Sequence, residues 1–216
     1  MNISPSKENI LKRIRQALRH STPLPFPNSE GNAPVFQTSR QELEVEFAEQ
    51  FTKLQGRFIF CIDHREVVAY IDEIVKKHSW QKAYCREERL RSMLKQNGFS
   101  AIEYAQLDSC DLAITSCELL VARTGSIIMT SAQQSGRTTS VYAPVHICIA
   151  YTDQLVYDLK DGLQLLNERF KPLPSFITFA SGPSRTADIE KTLVVGVHGP
   201  AEVFVLLVEA SARLQD

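Results

Sequence analysis

The spacing of apolar residues alternates between a helical and a strand-like period in the first half of the chain. The predicted helices cover residues 7–19, 39–56, 65–77 and 87–96, and the predicted strands cover residues 58–62 and 81–85. Ser39 and Glu42 have the spacing of a capping box at the start of the second helix. This alternation is typical of a parallel sheet flanked by helices.

After Asp111 the apolar runs become shorter and are separated by turn residues, which predicts strands that are connected more locally. Predicted strands cover residues 112–115, 119–122, 127–130, 145–150, 173–180, 193–197 and 203–208, and a helix covers 159–170. The run 173–180 has the composition of a buried strand. The whole pattern predicts an α/β fold with a mixed, largely parallel sheet flanked by helices.

The first 35 residues have a different pattern and are predicted to form an N-terminal helical arm. Its helix is amphipathic, with one basic face and one apolar stripe. The apolar stripe consists of Ile10, Leu11, Ile14, Ala17 and Leu18. Repeated prolines between Pro23 and Pro34 then exclude a helix and predict a linker. We expect residues 36–216 to form one α/β domain. The arm could dock on another subunit, which would be compatible with a homo-oligomer.

Charge and composition exclude several classes of protein. A formal net charge of -1 gives no overall electrostatic case for binding nucleic acid or an anionic membrane. No stretch approaches the roughly 20 apolar residues that span a bilayer, so we expect a cytoplasmic protein without membrane insertion. The cysteines are odd in number and contain no C-x-x-C pair, which argues against a disulfide framework, a zinc site or an iron–sulfur site. We therefore expect no metal and no cofactor in this chain.

The polar segment from Ser181 to Pro200 carries the strongest indication of a site, because it follows a predicted buried strand. In open α/β sheets, ligands collect beyond the carboxyl ends of the strands. The candidate ligand-binding residues here are Gly182, Ser184, Thr186 and Gly199. His198, with Asp188 or Glu190, could transfer a proton. In the alternative interpretation, Ser184 and Asp188 only satisfy backbone donors in a turn.

The central part of the chain offers a second group of candidates. Arg137 follows a glycine and could present its planar fork to a carboxylate or a phosphate, although an exposed hairpin tip explains it equally well. Thr124 and Gly125 could let backbone N–H groups approach a ligand, or could form a plain strand turn. His146 lies in an apolar run and is interpreted as a buried structural histidine. The G-x-S-x-G, G-x-G-x-x-G, P-loop and H-E-x-x-H patterns do not occur.

Two motifs in the polar segment resemble those of a known family. The run GPSRTADIE at residues 182–190 and the run GVHGP at 196–200 are similar to hallmarks of the LUD-domain family, in particular its lactate-utilization protein C branch. The resemblance extends to residues 8–18, 122–131, 136–137 and 144–147, and so covers nearly the whole chain. Arg123 stands where the family pattern has an acidic residue, so a family role for that carboxylate does not carry over.

The resemblance implies a fold similar to that of the sugar-phosphate isomerase and CoA-transferase superfamily. It also implies that the chain is the cluster-free component of an iron–sulfur-dependent system that oxidises L-lactate to pyruvate. The clusters would then reside in iron–sulfur partner proteins, and the chain would bind a small anionic ligand. Two alternatives remain open: a module that binds a small anionic metabolite or assembles with a partner without catalysis, and an acyl or phosphosugar enzyme that shares only the fold.

Overall fold

The computed structural model describes residues 5–17, 19, 39, 41–99, 103–104, 106–189 and 192–213. The chain divides into two units, residues 1–38 and 39–216. In the first unit, helix α1 spans Pro5–Ala17, so the predicted arm helix is confirmed with both ends shifted by two residues. The predicted proline-rich linker lies outside the described residues. The predicted domain boundary after residue 35 stays a prediction.

The second unit contains both helices and strands. The helices are α2 Leu43–Lys53, α3 His64–His78, α4 Glu88–Gln96, α5 Thr139–Tyr142 and α6 Leu159–Arg169. The strands are β1 Arg57–Cys61, β2 Lys82–Tyr84, β3 Glu103–Tyr104, β4 Leu112–Thr115, β5 Leu119–Val121, β6 Ser126–Thr130, β7 Val145–Tyr151, β8 Leu155–Val156, β9 Ile177–Ala180, β10 Arg185–Ile189, β11 Thr192–Val195 and β12 Glu202–Val208. No helix among the described residues is both long and apolar enough to cross a bilayer.

The main sheet has the strand order β1-β12-β7-β4-β2-β3, and every neighbouring pair in it is parallel. Its last member, β3, is a two-residue edge strand. The predicted α/β fold with a parallel sheet flanked by helices is therefore confirmed. The prediction of local connections after Asp111 is wrong for β4 and β7, which belong to this sheet. Short strands between turn residues do not reveal that the chain leaves one sheet and returns to it later.

The antiparallel pairs lie outside the main sheet rather than mixed into it. Strands β8-β5-β6-β9 form a second sheet, in which β6 pairs with β5 and β9 in antiparallel orientation, and β10 and β11 form a separate hairpin. The run 173–180 is not a buried strand, since only Ile177–Ala180 is extended and Phe179 is 40% exposed. The reason is its position as an edge strand that pairs only with β6. The polar segment from Ser181 to Pro200, which follows β9, contains the strands β10 and β11.

The start of α2 also differs from the prediction. Glu42 is the N-cap and its side chain accepts no capping hydrogen bond. The Ser39 hydroxyl instead donates to the carbonyl oxygen of Gln41, at 2.7 Å, and to the Glu46 carboxylate, at 3.2 Å. The predicted capping box is therefore wrong. The helix itself is confirmed, since α2 spans Leu43–Lys53. Its first turn carries Glu44 and Glu46, and carboxylates favour a helix N-terminus.

The two faces of the parallel sheet pack against different partners. One face buries apolar residues of α3 and α4, such as Ile71 and Leu94, against Ile147 and Leu206. The other face packs on α2 and on the second sheet. This second core contains Phe47, Phe51, Leu120, Ile127, Val205 and Leu207. Leu166 of α6 closes the outer side of the second sheet. The result is a layered α/β unit in which the central strands β4, β7 and β12 are covered on both faces, as is typical of parallel sheets.

Arg123 has a structural role that accounts for a cation at this position. Its Nε donates to Asp158 Oδ2 at 2.6 Å, and Asp158 is the N-cap of α6. The hydrogen bond from Arg123 is the main cause that lowers the pKa of the Asp158 carboxyl. The backbone N–H of Arg123 also donates to Tyr157 O at 3.0 Å. Arg123 thus joins the turn between β5 and β6 to the start of α6.

We expect Arg123→Ala to lower the free energy of unfolding by about 1–2 kcal/mol, between the values for exposed and buried ion pairs. The loss arises because the buried Asp158 carboxylate then keeps only the backbone N–H donors of the helix cap, with no cation beside it. Urea denaturation measures this loss, and Asp158→Asn gives the control background. In that background Arg123→Ala should cost clearly less, because the charge that it pairs with is absent. An equal cost in both backgrounds would contradict the ion pair as the cause.

Candidate functional site

A cavity of about 230 Å³ opens beside the amino ends of β7 and β12. The sequence-predicted residues that line it are Gly182, Ser184, His198 and Gly199. Its wall also contains Ser181, the first residue of the polar segment, together with Ser140 and His146. The structure therefore brings together the two ends of the polar segment around one cavity.

Backbone hydrogen bonds hold these two ends together. The Ser184 N–H donates to Pro200 O at 2.9 Å, and the Gly196 N–H donates to Ser184 O at 2.9 Å. Strands β10 and β11 continue from this point, with Arg185 opposite Val195. A Cβ atom on Gly199 would lie 2.8 Å from the Ser184 Cβ, so only glycine permits this approach. The two motifs are thus the two sides of the base of one hairpin.

The end of α2 supports the other side of the same loop. A Cβ atom on Gly182 would lie 2.5 Å from the carbonyl oxygen of Leu54, which follows α2 directly. The Arg185 guanidinium donates to that same oxygen at 2.5 Å. The Arg185 side chain is therefore committed to the helix end, and the loop is fixed on both sides.

A chain of hydroxyl groups connects the cavity to the turn between β5 and β6. Thr124 Oγ1 lies 2.8 Å from Ser126 Oγ, and Ser126 Oγ lies 2.7 Å from Ser181 Oγ. Ser181 lines the cavity, whereas Thr124 does not. Thr124 is therefore connected to the cavity through Ser126 and Ser181. The predicted direct contact of Thr124 with a ligand stays a prediction.

His146 is the most deeply buried polar residue in the cavity wall. It is 1% exposed, and its Nε2 lies 2.8 Å from Thr115 Oγ1. Burial lowers the pKa of the imidazole to about 4, so the ring is neutral at pH 7. This geometry confirms the interpretation as a satisfied, buried histidine. The position of His146 beside the cavity was missed, because an apolar strand pattern does not show which loops face its amino end.

Other predicted residues lie elsewhere or are not described. Arg137 Nη2 donates to Ser175 Oγ at 2.6 Å, and its guanidinium carbon lies 5.7 Å from the ring centre of Phe176. Arg137 does not line the cavity, and neither does Thr186, which lies in β10. Asp188 also belongs to β10, and the predicted role of its carboxylate stays a prediction. Glu190 lies outside the described residues.

Gly125 packs against α2 rather than lining the cavity. Its backbone is left-handed, with φ 57°, and a Cβ atom would lie 2.6 Å from the backbone nitrogen of Phe51. This close contact gives a structural reason for glycine at this position. A direct role of Gly125 in ligand binding stays a prediction.

The cavity wall suits a small polar ligand. Ser140, Ser181 and Ser184 each carry a hydroxyl group that can donate and accept hydrogen bonds. His198 is exposed at the rim, and the described residues that line the cavity include no lysine or arginine. In the described part of the chain, no three His, Cys, Asp or Glu side chains are grouped closely enough to hold a metal ion. An anion would therefore be held by hydroxyl, backbone and imidazole groups.

Comparison with known proteins identifies the family. Residues 45–208 match the LUD domain, which is more than half of the chain. The chain belongs to the LUD domain family. The resemblance seen in the motifs at residues 182–190 and 196–200 is thereby confirmed. The described residues of the cavity wall all lie within the part of the chain that matches the LUD domain.

Several relatives of this LUD domain carry the same name. Lactate utilization protein C of Deinococcus radiodurans is 35% identical over 111 residues, which are 50% of this chain and 50% of that protein. Lactate utilization protein C of Halalkalibacterium halodurans is 32% identical over 130 residues, 59% of this chain and 56% of that protein. The chain therefore matches about half the length of these curated relatives.

A solved structure has a similar fold. The crystal structure of a DUF162 family protein from Deinococcus radiodurans superposes with a TM-score of 0.58 and 19% sequence identity. The superposition covers 80% of this chain and 99% of that chain. At this identity the likeness establishes the α/β fold alone.

Proposed function

We propose that this LUD domain protein is a component of an L-lactate utilization system and that its cavity binds a small hydroxy or keto acid. Two of its relatives are named lactate utilization protein C, and the chain matches them over about half of their length. Within such a system the chain would act beside proteins that carry the redox groups for the oxidation of L-lactate to pyruvate. The ligand would be one of these two three-carbon acids or a close analogue.

The observation that carries this proposal is the convergence of both family motifs on one small cavity. Ser184 and Gly199 come from different motifs, yet they are in contact at its wall. A volume of about 230 Å³ suits a three-carbon acid with its hydration better than it suits a large cofactor. The serine hydroxyls could bind the carboxylate and the hydroxyl or keto oxygen of such an acid. His198 at the rim could add a donor to the carboxylate.

We place the iron–sulfur clusters of this system in partner proteins. The five cysteines of the chain are buried, and burial raises the pKa of the Cys61 and Cys85 thiols to about 12. A thiol that resists deprotonation is a poor cluster ligand, because the thiolate is the ligating form. The predicted arm at residues 1–35 is a candidate contact for such a partner. We also propose that the fold is a variant of the sugar-phosphate isomerase and CoA-transferase superfamily.

A binding module without catalysis is the second candidate, and the cavity wall favours it in one respect. Among the described residues that line the cavity there is no carboxylate, and the neutral His146 is engaged by Thr115. Catalysis would thus depend on His198 together with Asp188 or Glu190, as the sequence suggests. Without that arrangement, the cavity would bind the acid and the partner proteins would supply the chemistry.

We expect Ser184→Ala to weaken binding of lactate or pyruvate by about tenfold, because one hydrogen bond to a charged ligand is lost. The variant keeps the Cβ contact with Gly199 and both backbone hydrogen bonds of residue 184. Isothermal titration calorimetry of the full chain measures the dissociation constants.

The matched control for this measurement is Ser175→Ala. Ser175 accepts a hydrogen bond from Arg137 and does not line the cavity. This variant should bind both acids like the unmodified protein. The proposal is contradicted if neither acid binds at millimolar concentration, or if Ser184→Ala and Ser175→Ala have the same affinity.

A further inference from the structure

A second concave site lies at the carboxyl edge of the parallel sheet, away from the cavity described above. After β2 the chain continues to β3 in one direction along the sheet, whereas after β4 it continues to β7 in the other direction. Strands β2 and β4 are neighbours, so their carboxyl ends flank a point where the direction of the connections reverses. Ligands of open α/β sheets bind in the crevice at such a switch point. A crevice of about 630 Å³ opens at this place.

Side chains from four strand ends form the walls of the crevice. Glu87 and Met93 come from the segment after β2, and Ser116 follows β4. Tyr151 ends β7, and Arg213 follows β12. The crevice therefore combines a carboxylate, a hydroxyl, an aromatic ring, a guanidinium and an apolar wall. This combination is typical of a site for an organic ligand with several kinds of functional group.

Glu87 is held rigidly at the base of this crevice. Its Oε1 accepts from the Ser116 N–H at 3.0 Å, and its Oε2 accepts from the Ser116 hydroxyl at 2.5 Å. The Ser116 oxygen in turn accepts from Gln133 Nε2 at 3.1 Å. An ionised carboxylate can accept about four hydrogen bonds, so this arrangement leaves acceptor capacity for ligand hydroxyls. A carboxylate just after the second strand is also where doubly wound folds bind the hydroxyls of a ribose.

Arg213 is fixed at the opposite wall. Its Nη2 lies 2.9 Å from Asp153 Oδ1, and its guanidinium carbon lies 4.4 Å from the ring centre of Tyr151. The Tyr151 hydroxyl lies 2.9 Å from His64 Nε2, which fixes the ring beneath the guanidinium. An arginine carries five N–H donors, more than one carboxylate can take up. Its planar fork therefore suits a phosphate group.

We propose that this crevice binds a nucleotide. The ribose hydroxyls bind Glu87, the phosphate binds Arg213, and the base packs on the apolar wall at Leu90 and Met93. The volume is within the range of cofactor sites and is almost three times that of the cavity at Ser184. Because the chain has no glycine-rich phosphate loop, Arg213 takes the role that backbone N–H groups have in the common dinucleotide folds.

Binding of adenosine 5′-monophosphate to the full chain, measured by isothermal titration calorimetry, tests this proposal. We expect E87Q and R213Q each to weaken binding at least tenfold. The matched control for E87Q is E66Q, because Glu66 also accepts a hydrogen bond from a backbone N–H, at 2.7 Å from Ile62. The matched control for R213Q is R57Q. Arg57 pairs with Glu202 at 2.7 Å and lies 5.2 Å from the Phe204 ring centre, at the other end of the sheet.

Three further probes separate the parts of the nucleotide. Adenosine should bind about tenfold more weakly than the monophosphate and should be insensitive to R213Q. Ribose 5-phosphate should be sensitive to both variants, and inorganic phosphate only to R213Q. The proposal is overturned if the monophosphate does not bind at millimolar concentration, or if the controls lose as much affinity as E87Q and R213Q. Should E87Q not fold, as judged by circular dichroism, R213Q and the probe series decide the question alone.

Discussion

Replacement of Gly125 by alanine is expected to lower the free energy of unfolding by about 3 kcal/mol. Two costs add up at this position. The backbone at Gly125 is left-handed, which costs a non-glycine residue about 1–2 kcal/mol. The new methyl group would also lie 2.6 Å from the Phe51 nitrogen and 2.8 Å from the Gln50 carbonyl carbon. Because these are backbone atoms of α2, the clash can be relieved only by moving the helix, which adds about 1–3 kcal/mol.

Gly98→Ala is the matched control for the steric part of this effect. Gly98 also has a positive φ, 94°, but a Cβ atom there would meet no other atom within 4 Å. It should therefore cost only the backbone strain, about 1–2 kcal/mol. Urea denaturation of both variants measures the two losses. Equal losses would show that α2 does not press on the turn at Gly125.

The contrast at Gly125 shows what local sequence can and cannot reveal. The turn between β5 and β6 was predictable, because a glycine separates two apolar runs. The sequence left open whether this glycine admits a ligand or only forms a turn, and the structure shows helix α2 packed against it. Which neighbour fills the space beside a glycine depends on tertiary packing, and no spacing of residues within the turn contains that information.

The secondary structure was predictable to a large extent, and the pairing of strands was not. Strand β4 has the predicted bounds, α4 and α6 differ from their predicted bounds by one residue at one end, and α3 differs by one residue at each end. These elements follow from apolar periodicity, which is a local property. The second sheet does not follow from local sequence, because β9 pairs with β6 although β7, β8 and α6 lie between them in the chain.

The same distinction applies to the two concave sites. The sequence could group four residues of the cavity wall, Gly182, Ser184, His198 and Gly199, because both motifs flank a single hairpin and are close in the chain. Their role in ligand binding stays a prediction. The crevice at Glu87 was missed because its residues follow four different strands and form no motif. Only the strand order brings Glu87, Ser116 and Arg213 to one place. A crevice at a switch point is therefore a property of topology rather than of sequence pattern.

The free energy of unfolding is expected to fall by about 2 kcal/mol between pH 7 and pH 5 because of His146 alone. Burial lowers the pKa of His146 in the folded protein to about 4, whereas the unfolded chain has an ordinary value of about 6.5. Between these values the unfolded state binds a proton that the folded state does not bind. The stabilisation is therefore fully present above pH 6.5 and is lost as the pH falls towards 4.

His146→Asn should flatten this part of the pH profile, although it should also lower the stability at pH 7 through the lost packing. Thr115→Val is the control, because it removes the hydrogen bond partner but leaves the imidazole buried. Since desolvation is the cause of the lowered pKa, the control should keep the pH-dependent loss. Burial also lowers the pKa of His64, and this contribution is common to all three proteins. Urea denaturation at pH 7 and pH 5 measures the free energy of unfolding of all three proteins. If this free energy falls as steeply in His146→Asn as in the unmodified protein, His146 is not the cause of the fall.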